Sequence, residues 1–383
     1  MQDYDHHDLD KLTRYFLITL GVICFIGIIM VYSASYIYAK DVYKNSAYFL
    51  IRQLMFTGIG VGVAYFLSRT RFSFWFRMGQ YLHIVFIVLL ILTFIPGIGT
   101  STKGASRWIN LGFMRLQPAE FIKYSTIFVS LYFFENFQNF DRKELIKNCV
   151  AILLPLGLLL KQPDFGTFSI CFMLIAFVCY MSSFPRKLFY SIIGVGGVLA
   201  VAALFLQSYR VQRLLTFLDP WKNPKTSGFQ IIQSYLAFAN GAFFGQGIGN
   251  SNEKLFYLPE AHNDFIFSVL GEELGFVGVL FVVALVGIFI FLGFRIALAI
   301  RSRISGIIVS AIIFALGLQW TLNMCVVLGL LPTKGLNLPF ISYGGSSLVA
   351  NFIGIGFILS AIREHKRNSD LGLDENFTYQ SKS

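Results

Sequence analysis

The sequence predicts an all-α, polytopic integral membrane protein with about ten transmembrane helices and one long extracytoplasmic loop. Three observations predict it. The 383 residues are 56% hydrophobic and 13% charged, where a soluble globular chain carries roughly 25% charged residues. Apolar runs near the ~20 residues needed to cross a bilayer recur along nearly the whole length. Lys and Arg concentrate in alternate connections between those runs. A mean hydropathy of +0.66 excludes a disordered chain and a water-soluble enzyme. The net charge of +11 reads as cytoplasmic loop charge, so nucleic acid is not an expected partner.

The spans fall at about 15–35, 50–68, 81–97, 121–135, 148–161, 166–182, 188–206, 274–293, 306–330 and 346–362. The first run is too long for the apolar core of a cleaved signal peptide, and many spans follow it. The fifth is the shortest and is interrupted by Pro155. Residues 1–14 and 363–383 are short flanking segments, and 207–264 form the large loop, too long for a simple connector. Arg69, Arg71, Arg77, Arg142, Lys143, Lys147, Arg186, Lys187, Arg295, Arg301, Arg303, Arg363, Lys366 and Arg367 share one side if both termini are cytoplasmic, which is the predicted orientation. Four of the five Cys (Cys24, Cys171, Cys179 and Cys325) lie in apolar runs, and with Cys149 they have no metal or thioredoxin spacing.

Polar residues gather at four places on the outer side. The first runs through Arg107-Trp108-Ile109-Asn110 to Gln117-Pro118-Ala119-Glu120 and Lys123. Pro118 and Glu120 suit a first helical turn. Lys123, one turn into an apolar helix, is costly unless it faces a cavity or an anion. Arg107 and Lys123 together can hold a diphosphate, and a plain helix start beside an interfacial Trp is the alternative. The second is Gln162-Pro163-Asp164-Phe165-Gly166, where Asp164 reads first as a turn residue or helix cap.

The third lies in and after the long loop. Gly245, Gly247 and Gly249 match no dinucleotide or P-loop spacing. Glu260-Ala261-His262-Asn263-Asp264 leads into Gly271-Glu272-Glu273-Leu274-Gly275, with the two glutamates expected near the outer surface. Asp264 is either a helix N-cap, a job Asn263 can also do, or a carboxylate lining an outer cavity. The fourth, Pro332 to Ser347, holds Lys334 and Ser342 in a Pro-, Gly- and Ser-rich stretch between spans. Such a stretch must pack against protein or water.

Taken in order, Gly104–Asn110, Gln117–Lys123, Gln162–Gly166, Asp219–Trp221, Tyr257–Phe267 with Gly271–Gly275, and Pro332–Ser347 resemble the SEDS family. These are ten-span membrane proteins that polymerise bacterial cell-wall glycan. Residues 257–275 are closer to its division member than to its elongation member, with a sporulation member close behind; Asn263 departs from the family's usual Thr. The resemblance implies glycosyl transfer between undecaprenyl-diphosphate-linked lipid II molecules. Asp264 is then the catalytic base, and Arg107, Lys123, Glu120, Asp164, Glu260, His262, Lys334 and Ser342 form the substrate site. A divalent cation, magnesium or manganese, has a place at the diphosphate. The implied partners are a class B penicillin-binding transpeptidase, other divisome proteins and membrane lipid, with the division septum as the place. A lipid II flippase is the competing reading, but it wants essential charges near mid-membrane, and these cluster at the outer surface.

Overall fold

The structure is a computed structural model that describes residues 6–102, 105–110, 112, 115–205, 211, 215–226, 228–252, 260–333 and 335–373. Its helices are α1 (His6–Tyr43), α2 (Tyr48–Arg69), α3 (Phe72–Leu92), α4 (Pro118–Asn136), α5 (Arg142–Lys161), α6 (Phe165–Met181), α7 (Arg186–Phe205), α8 (Phe229–Gly241), α9 (Ile266–Ala299), α10 (Arg303–Val327) and α11 (Gly345–Asp370). Every predicted span overlaps one of them, the third and ninth (81–97 and 306–330) running several residues past their helix ends at Leu92 and Val327, and α8 lies within the long loop. The helices α1, α2, α3, α9, α10 and α11 are long and apolar enough to cross a bilayer. Of the others, α4 carries Glu120, Lys123 and Glu135, and α6 has only 17 residues. The chain is a multi-pass membrane protein.

Burial separates centre from periphery. In α10 and α11, 72% and 78% of the apolar window is buried, against 22% in α3 and α9. α4 is buried on nearly every face from Pro118 to Phe134. These three helices form the core, and the rest turn an apolar face outward, as hydrocarbon solvent permits.

Several boundaries differ from the sequence reading. α1 begins at His6 rather than near residue 15, because the polar first turns continue the same helix. At 1.5 Å per residue its 38 residues span about 57 Å, well beyond the ~30 Å hydrocarbon core. At one end Asp10 pairs with Lys366 of α11, so the described ends of the chain lie together. α5 runs through Pro155 unbroken. The segment before α4 is an antiparallel sheet of β1 (Gly99–Thr102), β2 (Ala105–Asn110) and β3 (Arg115–Leu116) in that order, with Thr100 opposite Trp108 and Ile109 opposite Leu116. Its strands are too short for their alternation to stand out in the sequence.

α9 is broken at Gly275, whose φ of 68° and ψ of −169° belong to glycine alone. The chain following α8 threads into the break. Gln246 and Gly247 N–H donate to the carbonyls of Glu272 and Glu273 (2.9 and 3.0 Å), and Phe276 and Val277 N–H donate to Ala242 and Phe243 O (2.9 and 3.1 Å). Backbone groups freed by the kink are thereby satisfied inside the protein. Glu272 and Glu273 are buried within the protein here. Glu273 accepts from Ser33 Oγ of α1 (2.6 Å), and Glu272 from Ser251 Oγ and Asn252 N. The half-helix 266–274 is thus held from two sides, and Asp264 immediately precedes it.

Candidate active site

The turn that carries Asp264 is built around Glu260. Glu260 adopts a left-handed φ of 59°, and its carbonyl accepts from Asn263 N and Phe265 N (3.0 and 3.3 Å). Asn263 Nδ2 donates to Glu260 Oε2 at 2.7 Å. The N-cap of α9 is Phe265, with no side-chain capping bond. The N-cap position is thus held by neither Asp264 nor Asn263.

The segment 335–344 closes over this turn. Three consecutive carbonyls are each held by a donor from outside the turn. Tyr343 N donates to His262 O at 3.0 Å, Ser342 Oγ to Asn263 O at 2.7 Å, and Asn323 Nδ2 to Asp264 O at 2.8 Å. Ser342 Oγ also accepts from Leu338 N (2.8 Å), so it ties the loop to itself and to the turn. Gly335 packs on the Asp264 side chain: a Cβ there would lie 3.0 Å from Oδ2. The carboxylate itself is half-buried.

His262 sits among aromatic rings, 4.5 Å from Phe49 and 5.7 Å from Tyr38 between ring centroids. Burial pushes its pKa down to about 4, against the opposing pull of Glu260. It is therefore neutral near pH 7 and brings no positive charge to a diphosphate.

Lys123 is 1% exposed, deeper than its predicted role requires. Its ammonium donates to Glu120 Oε2 (2.8 Å), Gln319 Oε1 of α10 (2.7 Å) and Asn351 Oδ1 of α11 (3.2 Å). A buried cation needs such acceptors, and three fill its donor capacity. Gln319 Nε2 passes the connection on to Asn337 O at 3.0 Å, in the loop that closes over Asp264. Glu120, predicted at the substrate, is the counter-ion of this knot.

Arg107 on β2 donates through Nε to Gln162 O (3.3 Å) and through its guanidinium to Pro163 O. Asp164 is 4% exposed and caps α6 through Thr167 N (3.1 Å) and Thr167 Oγ1 (3.0 Å). For Asp164 the structural reading holds, because its carboxylate is occupied by the helix start. Arg107 and Lys123 share no hydrogen-bond partner among the described residues. Lys334 lies outside the described residues.

No group of three or more His, Cys, Asp or Glu side chains among the described residues converges on a metal site. Asp264 and Glu260 are the carboxylates at the turn, and Glu260 is engaged by Asn263. The fit of a magnesium or manganese ion held by these residues alone is poor.

Sequence reading missed Gln319 and Asn323. Their signal was present: two amides four residues apart share one face of an apolar helix, and each is costly there without a partner.

The FTSW_RODA_SPOVE family model, described as "Cell cycle protein", matches residues 13–368. The chain belongs to this family. A "Probable peptidoglycan glycosyltransferase FtsW" of Trichlorobacter lovleyi is 41% identical over 361 residues, covering 91% of this chain and 93% of that protein. Its counterpart in Coxiella burnetii is 40% identical over 344 residues, covering 87% and 91%. Among solved structures, a chain of a peptidoglycan synthase complex described as coordinating polymerization and crosslinking superposes with a TM-score of 0.74 at 29% identity, covering 91% of this chain and 97% of that one. The Thermus thermophilus rod shape determining protein RodA superposes with a TM-score of 0.67 at 25% identity, covering 92% and 96%.

Proposed function

We propose that this protein is a peptidoglycan glycosyltransferase that polymerises lipid II into glycan strands on the outer face of the cytoplasmic membrane, in septal wall synthesis during cell division. The observation that carries the reading is the Asp264 turn: a half-buried acidic residue at the start of α9, in a turn held at three successive carbonyls. Relatives at about 40% identity over most of the chain are named for this activity.

Asp264 takes the proton of the acceptor sugar's C4 hydroxyl as that oxygen bonds to the donor's anomeric carbon. The bond from that carbon to the diphosphate oxygen breaks, and undecaprenyl diphosphate leaves with the electron pair, inverting the centre. Arg107, half-buried and forked, is the cation assigned to the diphosphate. Lys123 acts at one remove, through Gln319 and the loop, and Ser342 holds the turn. The Lys and Arg bias favours a cytoplasmic side for the end of the bundle shared by Asp10 and Lys366, which supports an outer-face location for the Asp264 turn, packed near the far end of α1 through Tyr38 and His262.

A class B penicillin-binding transpeptidase is the proposed partner. An apolar face of α9 that includes Phe276, Leu280, Phe281, Ile288 and Phe291 is more than half or half exposed at each residue and suits a single partner span. Ala284 and Gly287 lie on the exposed side of the same helix. Gly293 of the same helix lies off this face, against Ile313 of α10.

The test is purified protein with its partner, incubated with lipid II in detergent and resolved on a gel, beside Asp264→Asn. Glycan polymer from the parent, and almost none from a variant that folds and binds its partner normally, is the expected result. General-base help is worth about 10²- to 10⁴-fold in rate. Near-normal polymer from the Asn variant would defeat the mechanism.

A further inference from the structure

Asn323 lies in α10 and is 1% exposed. Its Nδ2 donates both hydrogens, to Asp264 O at 2.8 Å and to Leu336 O at 2.5 Å. Both partners are carbonyls, so the nitrogen must face them and the amide's orientation is determined. One amide therefore joins the carbonyl of Asp264 to that of Leu336, the residue after Gly335, and Gly335 packs on the Asp264 side chain.

The rest of the loop has other anchors on the same helix. Gln319 Nε2 donates to Asn337 O and Trp320 Nε1 to Pro339 O (3.0 and 2.9 Å). What Asn323 adds is the spacing between the turn and the loop. Its Oδ1 has no hydrogen-bond partner among the described residues. A buried unmatched acceptor carries a desolvation cost, so the amide is retained for its donor side, which holds the carbonyls of Asp264 and Leu336.

We infer that Asn323 is a positioning residue for Asp264, fixing the carboxylate against Gly335 at the distance glycosyl transfer requires. The inference rests on Asp264 being the base. A displacement of about 1 Å in such a group can cost about 10²-fold in rate, with little effect on substrate affinity.

The test is Asn323→Leu, purified as the full chain with its partner and assayed for kcat and KM with lipid II beside the parent and Asp264→Asn. The expected result is a fall in kcat of about 10²-fold with KM within about threefold, in a variant that still purifies folded and bound to its partner, with a melting temperature lowered by the two carbonyls left without their donor. A kcat within about threefold of the parent, or a loss that resides in KM, would overturn the inference. Should the Leu variant not purify, Asn323→Ser, which introduces no added bulk, is read by the same split. Asp264→Asn separates the two failures. If it polymerises normally, the base reading falls and this inference with it; if it is inactive while Asn323→Leu turns over normally, only the positioning role is lost.

Discussion

Gly335 stands against the carboxylate of Asp264, close enough that a Cβ at position 335 would lie 3.0 Å from Oδ2. No left-handed backbone is recorded at Gly335, so proximity and not conformation makes a side chain costly there. Gly335→Ala should fold and assemble normally while displacing the carboxylate by a few tenths of an ångström. We expect a fall in kcat of about tenfold, less than the ~10²-fold associated with a full ångström. Single-turnover polymerisation with lipid II reads it, and a kcat equal to the parent's would show that the carboxylate does not need this wall.

Lys123 should matter for the fold more than for donor binding. Lys123→Met leaves Glu120, only 7% exposed, without its cation. Breaking a buried pair costs about 3–5 kcal/mol. Lys123→Met combined with Glu120→Gln removes both charges and should recover most of the lost stability. Melting temperatures of the three proteins in detergent distinguish this from a diphosphate contact, for which the double variant would melt like the parent without the single variant having fallen.

At Gly275 the backbone conformation and the space both demand glycine. A Cβ there would lie 2.3 Å from Gly245 N, and a non-glycine residue in this region costs about 1–3 kcal/mol before any clash. Gly275→Ala should expel the 241–247 segment from the break in α9. Monodisperse yield in size-exclusion chromatography and co-purification of the partner should both drop.

His262 makes stability depend on pH in a defined window. Its folded pKa is pushed from 6.5 down to about 4. Between those values the unfolded chain binds the proton and the folded one does not, so stability is full above about pH 6.5 and declines as pH falls toward 4. His262→Phe, which keeps a ring among Tyr38 and Phe49, should flatten this part of the melting-temperature profile. An unchanged slope would mean that other groups set it.

Much of this was legible in the chain itself. Apolar length specified the spans, because a bilayer imposes one dimension on every crossing segment. The costly residues in or beside those spans marked where buried polar contacts form, and Pro118 and Glu120 announced the start of α4. Other features depended on contacts between residues far apart in sequence. Asp264 and Asn263 look like helix caps until the fold shows α9 starting at Phe265 without one. Lys123 reads as a ligand for an anion until Gln319 and Asn351, each roughly two hundred residues away, accept its hydrogen bonds. Asn323 looks like an isolated polar residue until Asp264 and Leu336 meet at its amide. The sequence determined what had to be buried and where the chain crosses the membrane, since those depend on local composition. Which buried polar group satisfies which was decided only by tertiary structure, because a hydrogen bond in a low-dielectric interior depends on a partner's position to within a fraction of an ångström.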